Sequence, residues 1–441
     1  MKDYIELKDW YLSNFKEFER NLNGESHAQI HKLRKEAISN FSELTFPTIK
    51  DEEWKYTNIS PLLQYNFKPV NPGKDIPEVS KETVNKFKFD KSENNLLVFI
   101  NGHYSEQLSN ILQLPKDVIV GNIASAISEN NPVVKKYFGR YADYNNHIFT
   151  ALSTAFTRDG IFINVPDNKV IENPIHVLFL TISEDKKLLI QPRNLFVIGK
   201  NCQVTIIEHY ASLEEDIFFT NTVTEVVVDE NSFVDHVKLQ EESKKSYHIA
   251  RMEVDQEKNS NFVSHLISTG SSLSRNDFNA RFNGEGGNSA LNGLFMIKES
   301  QHFDIHSLID HAVPHCDSHE HYKGILDDKS RGVFNGKIMV RKDAQKTNAF
   351  QENNNIILSE EALINTKPQL EIFADDVKCS HGATIGQLDD ESLFYLRSRG
   401  INKDEARTIL LRAFANDVVR SIKIDFVRNY LENLISERFG N

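Results

Sequence analysis

Short segments in the middle of the chain recur about every 30 residues, and this recurrence limits the possible folds most strongly. The segment "VIGKNCQV" (197–204) matches "VVDENSFV" (227–234), and "FVDH" (233–236) returns as "FVSH" (262–265). Such a repeat is typical of a solenoid, in which each coil buries its apolar face only against its neighbours. We therefore expect a stack of similar coils rather than a single layered domain.

The sequence between residues 96 and 386 has the texture of β-strands. Runs of β-branched and aromatic residues, such as "NLFVIG", "TVTEVVV" and "GKIMV", alternate with polar turns, and long helical patterns are scarce. Together with the repeat, this texture predicts a mainly β protein whose coils form a β-helix. An irregular β-sandwich is the alternative for strands as short as these.

Both ends of the chain have helical patterns instead. Apolar residues recur at helical spacing in the first 65 residues, for example at Trp10, Phe15 and Phe18. Near the other end, Asn402 followed by Glu405 predicts a helix N-cap. We predict four regions: an N-terminal helical region (1–65), a linker rich in Pro, Lys, Asn and Asp (66–95), the β-helix core (96–386) and a C-terminal helical region (387–441).

An apolar stripe is predicted on one face of the C-terminal helical region. Its residues recur over about four turns of a single helix. The stripe would pack either on the core of the chain itself or against a partner protein. Its members are Val419, Ile422, Phe426, Tyr430 and Leu434.

Composition excludes several classes of protein. The chain has 441 residues and a formal net charge of −12, so we expect no binding of nucleic acid or anionic membrane through bulk electrostatics. Three cysteines without CxxC spacing do not indicate a disulfide framework. The N-terminal segment has no apolar signal core, and the longest apolar run (175–182) is shorter than a membrane span of ~20 residues. We therefore expect a cytoplasmic protein.

Four histidines lie close together in "HAVPHCDSHEHYKG" (311–324). If this segment is a strand, His315, His319 and His321 share one face with Asp317. Imidazole and carboxylate groups on one face could hold a transition metal, as in a cupin enzyme. No glutamate follows at the spacing that a cupin site needs, so a polar outer face of a strand is the alternative.

Cys379 and His381 stand two residues apart in "FADDVKCSHGATIG" (373–386). Thiolate and imidazole are both good ligands for soft or borderline metals. In a β-helix, however, a free cysteine behaves as a small apolar residue and would point inward. His381, next to Gly382, would then lie at a corner or an edge. Spacing alone favours a buried cysteine beside an ordinary histidine.

Common catalytic motifs are missing from the sequence. There is no GxxxxGK[ST] segment, so we expect no binding of ATP through a P-loop. There is also no GxSxG and no HExxH segment. These missing motifs argue against a P-loop ATPase, an α/β-hydrolase-type serine enzyme and an HExxH metalloprotease.

One long run resembles a known family. The segment "KPQLEIFADDVKCSHGATIGQLDDESLFYLRSRGI" (367–401) is similar to the SufB/SufD family of SUF-system iron–sulfur cluster assembly proteins. The resemblance continues through "VFNGKIMVRKDAQKTNAFQENNNIILS" (333–359) and includes "DEEWKYTN" (51–58). The SufB branch carries a cysteine at the position where this chain has Asn353. The SufB branch also lacks the sequence "KCSHGAT", so this chain looks like the SufD branch.

The resemblance implies a fold and a set of partners. The fold would be a right-handed parallel β-helix flanked by N-terminal and C-terminal α-helical regions. The chain would be a non-enzymatic scaffold subunit in a complex with one SufB-like paralogue and two SufC-like ABC ATPase subunits, with ATP hydrolysed on SufC. When isolated, it could form a homodimer.

The resemblance also implies where the chain would act. The last coils would pair with SufB, and His381 would help to build a transient iron–sulfur cluster shared with SufB, with Cys379 as a weaker candidate. A flavin is associated with complexes of this family, but no residue here points to a flavin site. The C-terminal helical region would dock SufC, and the docking residues would be Leu393, Phe394, Tyr395, Arg397, Arg399 and Gly400.

Two other functions stay open from the residues alone. One is a stand-alone metal-dependent β-solenoid or cupin-like enzyme that uses His315, His319 and His321. The other is a passive structural partner for SufC, in which His381 would be dispensable.

Overall fold

The protein is a parallel β-solenoid: its coils stack on one another, and their strands form two long β-sheets. Helices lie at both ends of the chain. The computed structural model describes residues 4–22, 29–89 and 94–439, so residues 90–93 of the predicted linker lie outside the described residues. The predicted mainly β solenoid with helical ends is confirmed.

The helices of the described residues lie mostly before and after the solenoid. They are α1 (Tyr4–Arg20), α2 (Gln29–Glu43), α3 (Ser60–Leu63), α4 (Lys81–Asn85), α5 (Ile123–Ser128), α6 (Pro132–Tyr137), α7 (Ile148–Ala155), α8 (Asp390–Ser398), α9 (Lys403–Val419) and α10 (Asp425–Phe439). A short 3-10 helix, Glu52–Trp54, lies between α2 and α3.

The strands alternate between the two sheets as the chain advances. They are β1 (Lys68–Pro69), β2 (Asn95–Ile100), β3 (His103–Tyr104), β4 (Ile119–Asn122), β5 (Ile161–Val165), β6 (Ile175–Thr181), β7 (Leu188–Ile190), β8 (Arg193–Ile198), β9 (Gln203–Ser212), β10 (Phe219–Val228), β11 (Phe233–Glu241), β12 (Tyr247–Gln256), β13 (Asn261–Ser268), β14 (Leu273–Phe282), β15 (Asn288–Ile297), β16 (His302–His311), β17 (Asp317–Leu326), β18 (Arg331–Val340), β19 (Asn348–Ile357), β20 (Leu363–Ile372) and β21 (Lys378–Gly386).

The order of strands shows the winding. One sheet runs β20-β18-β16-β14-β12-β10-β8-β5-β4, and the other runs β21-β19-β17-β15-β13-β11-β9-β6-β2-β3. From β5 and β6 onward, neighbouring strands along these two paths are parallel. Apolar side chains from both sheets fill the space between them, among them Phe196, Phe262, Phe295 and Phe334.

Asparagines at one corner explain the recurring "KN" and "EN" of the sequence. Asn168, Asn201, Asn231 and Asn259 have φ angles of 63°, 55°, 57° and 54°, a left-handed conformation that asparagine tolerates better than most residues. Their side chains hydrogen bond from coil to coil, with Nδ2 to Oδ1 distances of 2.9 to 3.1 Å. Gly286 takes the equivalent place in the next coil, where a Cβ would lie 2.4 Å from Asn259 Oδ1.

The pairing of strands confirms one repeat match and corrects the other. Val234 pairs with Val204, as the first match requires. Phe233, however, pairs with Asn261 rather than with Phe262, so the match between "FVDH" and "FVSH" is wrong by one residue. A slip of one residue would turn every side chain to the opposite face of the sheet.

Helices cover part of the outer face of each sheet. The N-terminal helices α1, α2 and α7 pack on apolar residues of β10, β12 and β14. The helices α9 and α10 pack on the outer face of the other sheet, against residues such as Val237, Ile267 and Ile325. None of the described helices combines the length and apolar character that crossing a lipid bilayer requires.

The apolar stripe predicted on one C-terminal helix is divided between two helices. Val419 is the last residue of α9, Ile422 lies in the connection, and Phe426 belongs to α10. All members of the stripe pack in one cluster with the outer face of the sheet. The prediction of a single helix is therefore wrong, and the alternative in which the stripe packs on the chain's own core is confirmed.

Candidate functional site

The last two strands of the solenoid each have a strand neighbour on one side only. Within the described residues, β20 pairs with β18 and β21 pairs with β19, and nothing follows them in either sheet. We call β20, β21 and the segment that connects them (363–386) the open end. Apolar side chains are exposed there, including Ile385 at 50% and Phe373 at 65%. An unpaired edge with exposed apolar residues is a template for pairing with another chain.

Cys379 and His381 both lie on β21, on the face that continues the interior of the solenoid. Cys379 pairs with Ala349 and is half-buried against a small cluster that includes Ile338 and Val340. Burial raises the pKa of its thiol, which disfavours the thiolate. His381 is exposed, because no further coil of the described residues follows β21. The same strand thus holds one packed thiol and one accessible imidazole.

Two buried polar residues lie in the coils directly before His381. Gln351 of β19 is its partner in register, and Glu320 of β17 is the partner of Gln351. Both side chains are buried, and Gln351 Nε2 donates a hydrogen bond to Glu320 Oε2. Burial raises the pKa of Glu320 to about 7. Motif searching missed this pair, although a spacing of one coil between two polar residues with interior parity was a usable signal.

The histidines of residues 311–324 do not form the predicted shared face. His315 precedes β17 and has a left-handed φ of 61°, so the premise that it lies on the strand is wrong. His319 and His321 do lie on β17, and the His319 ring stacks on Phe350 with centroids 5.4 Å apart. In the part of the chain that the structure describes, no three His, Cys, Asp or Glu side chains are grouped as metal ligands.

Helix α8 presents exposed apolar residues beside the open end. Asp389 caps it by accepting a hydrogen bond from Ser392 N at 2.9 Å. Phe394 is 73% exposed, Tyr395 is also exposed, and Leu393 is half-buried. An open cavity of about 820 Å³ lies between α8 and α9, next to both aromatic residues.

The remaining predicted docking residues lie at the end of α8. Arg397 and Arg399 are exposed, and the Arg399 guanidinium lies 5.2 Å from the centre of the Tyr395 ring. Gly400 follows the helix with a φ of 90°, which suits a glycine after a helix end. Five of the six predicted docking residues are therefore exposed, with mixed apolar and basic character, and Leu393 is half-buried.

The cavity between the two sheets is too small for a flavin. This cavity, lined by residues such as Glu208, His236 and Lys238, has a volume of only about 30 Å³. Cofactor sites usually need about 300 Å³ or more. Its polar residues already hydrogen bond to one another, as His236 Nε2 and Glu208 Oε1 do at 3.2 Å.

Comparison with known proteins gives matches along nearly the whole chain. The family model for the SufBD core domain of SUF-system FeS cluster assembly matches residues 180–414, and the model for the SufBD N-terminal region matches residues 5–177. An iron–sulfur cluster assembly SufBD family protein of Synechocystis is 34% identical over 95% of this chain and 93% of its own length.

Two relatives carry the name SufD. The iron–sulfur cluster assembly protein SufD of Escherichia coli is 30% identical over 89% of each chain. The protein of the same name from Bacillus subtilis is 26% identical over 97% of each chain. These matches confirm the resemblance found in the sequence.

Proposed function

The chain belongs to the SufBD family of the SUF iron–sulfur cluster assembly system, and we propose that it is the SufD-like scaffold subunit of a cytoplasmic complex. In that complex it pairs with a SufB-like paralogue and a SufC-like ABC ATPase. The nascent cluster is built at the interface with the paralogue and then passed to acceptor proteins. The chain itself catalyses no reaction, and ATP is hydrolysed on the SufC-like subunit.

The observation that carries this proposal is the exposed imidazole of His381 on the unpaired strand β21. Iron–sulfur clusters are held by thiolates and sometimes by imidazoles. A cluster that must be released is best held by few ligands from any one chain. His381 supplies one such ligand at an edge where another chain can bring the others.

Cys379 has a secondary part in the proposed site. Its raised thiol pKa and its packing against Ile338 and Val340 make it a poor ligand in the isolated chain. Binding of iron nearby would favour the thiolate, because a metal lowers the pKa of a thiol. His381 is therefore the main ligand that this chain offers to the cluster, and Cys379 is a weaker ligand that binds only once iron is nearby.

The open end provides the surface for the SufB-like paralogue. The exposed edges of β20 and β21 offer backbone N–H and C=O groups, and Ile385 and Phe373 offer apolar contacts. A paralogue with the same solenoid presents strands at a matching spacing. In the absence of the paralogue, the same edges would pair two copies of this chain as a homodimer.

The exposed surface of α8 docks the SufC-like ATPase. Phe394 and Tyr395 supply an apolar anchor, and Arg397 and Arg399 can pair with acidic groups of the partner. Since α8 directly follows β21, a movement of the docked ATPase would be transmitted to the strand that carries His381. Closure of two ATPase subunits could in this way open the cluster site.

The test is anaerobic co-expression with SufB-like and SufC-like partners, followed by absorbance spectroscopy and iron and sulfide analysis. His381→Ala should leave the complex intact and lower cluster formation at least about tenfold. Ser380→Ala is the matched control, because Ser380 is also exposed on β21 but points to the opposite face.

Two results would contradict the proposal. If the His381→Ala complex formed clusters at the wild-type rate, the chain would be a passive structural partner. If the chain alone bound a stoichiometric metal and recovered no partner, a metal-dependent enzyme would be the better function. The separation of His315 from His319 and His321 disfavours the latter.

A further inference from the structure

Gln351 is held in one orientation inside the last coils. Its Nε2 donates a hydrogen bond to Glu320 Oε2, and each of the two residues is only 2% exposed. Gly336 of the facing sheet leaves the room for this amide, because a Cβ at that position would lie 2.2 Å from Gln351 Nε2. The glycine, the amide and the carboxyl group thus form one built arrangement rather than a chance contact.

Two acceptor oxygens of this arrangement have no hydrogen-bond partner within the described residues: Glu320 Oε1 on β17 and Gln351 Oε1 on β19, the strand next to β21. Both oxygens are buried. Buried polar atoms are nearly always paired, so an unpaired amide oxygen calls for an explanation. Neighbouring parallel strands lie about 4.8 Å apart, and the residue next to Gln351 in register, on the same face, is His381.

We infer that Gln351, fixed by Glu320, is a positioning residue for His381: its Oε1 accepts the N–H of one ring nitrogen and leaves the other nitrogen unprotonated and directed outward. The His381 ring is exposed, and the structure records no hydrogen bond to it within the described residues, so it is free to turn toward Gln351. A histidine that binds a metal usually donates its other N–H to a carbonyl or carboxylate oxygen in this way.

The consequence is a ligand that is prepared before iron arrives. A fixed tautomer removes the need to move a proton when the imidazole binds, and a fixed ring orientation lowers the entropy cost of binding. The role of this pair in cluster assembly rests on the proposed function of His381. The hydrogen bond itself does not, and it can be measured in the isolated chain.

The first experiment measures the tautomer of His381 in the full-length chain labelled with ¹⁵N-histidine, at a pH where the ring is neutral. Its signals are identified as those missing from His381→Ala. Wild type should show one tautomer in clear excess. Gln351→Met keeps the volume but removes the acceptor, and should change the tautomer ratio roughly fivefold, the effect of a typical hydrogen bond.

Two further variants make the result specific. Gln351→Glu keeps an acceptor oxygen and should retain the wild-type ratio. Asn353→Leu is the matched control, because Asn353 is buried on the same face of β19 but pairs with Ala383 instead of His381. If Gln351→Met does not fold, Gln351→Asn, whose side chain is one methylene shorter, should shift the ratio in its place. A wild-type ratio in a folded Gln351→Met or Gln351→Asn chain would overturn the inference.

The second experiment measures cluster formation on the co-expressed complex. Gln351→Met should slow it roughly tenfold or more, and Gln351→Glu should restore it. If His381→Ala assembles clusters normally while Gln351→Met still shifts the tautomer, the positioning role stands and the proposed function fails. If His381→Ala abolishes cluster assembly but Gln351→Met leaves the tautomer ratio of His381 unchanged, the proposed function stands and this inference fails.

Discussion

The two ends of the solenoid are finished in opposite ways. At the beginning, each sheet is closed by a short antiparallel strand, β3 in one sheet and β4 in the other. Every residue of β2 is buried there. At the other end, β21 has the same strand geometry and the same alternation of faces, yet nearly all of its residues are exposed. Burial of an interior face therefore depends on the following coil, and the open end lacks one.

In the middle of the solenoid, strand residues also contact the short 3-10 helix that lies outside the sheets. Arg275 lies with its guanidinium 3.8 Å from the centre of the Trp54 ring and donates hydrogen bonds to Glu53 O at 2.6 Å and Asp304 Oδ2 at 3.0 Å. His306 contacts Asp304 Oδ1 at 3.1 Å. We call these five residues the clamp. It fixes the connector between the N-terminal helices and the solenoid. At the open end, Lys367 of β20 pairs with Glu52 of the same connector, but both side chains are partly or largely exposed.

The largest effect on stability is expected at the clamp. Arg275→Ala should lower the free energy of unfolding by about 3–5 kcal/mol, because it leaves the buried Asp304 carboxylate without its guanidinium partner. Denaturant unfolding measures the loss. Arg281→Ala is the control: Arg281 is half-exposed on the same face of β14, and its loss should stay within about 0.5 kcal/mol. Equal losses for the two variants would show that the clamp does not stabilise the fold.

The second effect compares one residue type in the middle and at the open end. Ile305 is fully buried inside the solenoid, so Ile305→Ala should cost about 2–5 kcal/mol. Ile385 has interior parity on β21 but is half-exposed, and Ile385→Ala should cost less than about 1 kcal/mol. Thermal or denaturant unfolding of the isolated chain measures both. Similar losses would mean that the open end is covered in solution, for example by a second copy.

The third effect is the pH dependence of the clamp. Burial and the nearby Arg275 lower the pKa of His306, but the Asp304 carboxylate raises it more strongly, with a further contribution from Glu53. The pKa of His306 is therefore raised from 6.5 to about 9. A raised pKa contributes stability that is full below pH 6.5 and is lost as the pH rises through 9, up to about 3 kcal/mol. Wild type should therefore lose stability over this interval, while His306→Asn should show a flatter profile. A wild-type profile that stays level would contradict a charged His306.

The smallest effect on stability should accompany a large effect on association. Ile385→Arg should change the unfolding free energy of the isolated chain by less than about 1 kcal/mol. It should nevertheless reduce recovery of the SufB-like partner on co-purification at least about tenfold. Ile119→Arg is the control, because Ile119 is exposed at the opposite, closed end. If both variants retain the partner equally, the open end is not its docking surface.

The fold was largely predictable because the coils repeat their local chemistry. Left-handed corners at Asn201 and Asn231 and parallel pairing of Val204 with Val234 follow directly from the recurring sequence. The exact register was less accessible. Paired positions are 30 residues apart between β9 and β11 but 28 apart between β11 and β13, because the turns differ in length while the strands keep their alignment.

The candidate site was predictable only in part. Resemblance to a family, not spacing, distinguished His381 from Cys379. The left-handed turn at His315 was missed, although histidine, like Asn and Asp, adopts a positive φ more often than most residues. The Gln351–Glu320 pair was also missed, since a contact between coils depends on the register and on the space that Gly336 leaves on the facing sheet.

The sequence by itself determined the strands, the asparagine corners, the caps of α8 and α9 and the chemistry of the residues at the end of the solenoid. These features depend on side chains close to one another in the chain, which interact with their own backbone. Only the tertiary structure decided which interior face stays uncovered. His381 has the same parity as fully buried residues in earlier coils, and it is exposed because no strand of the described residues follows β21 in the sheet.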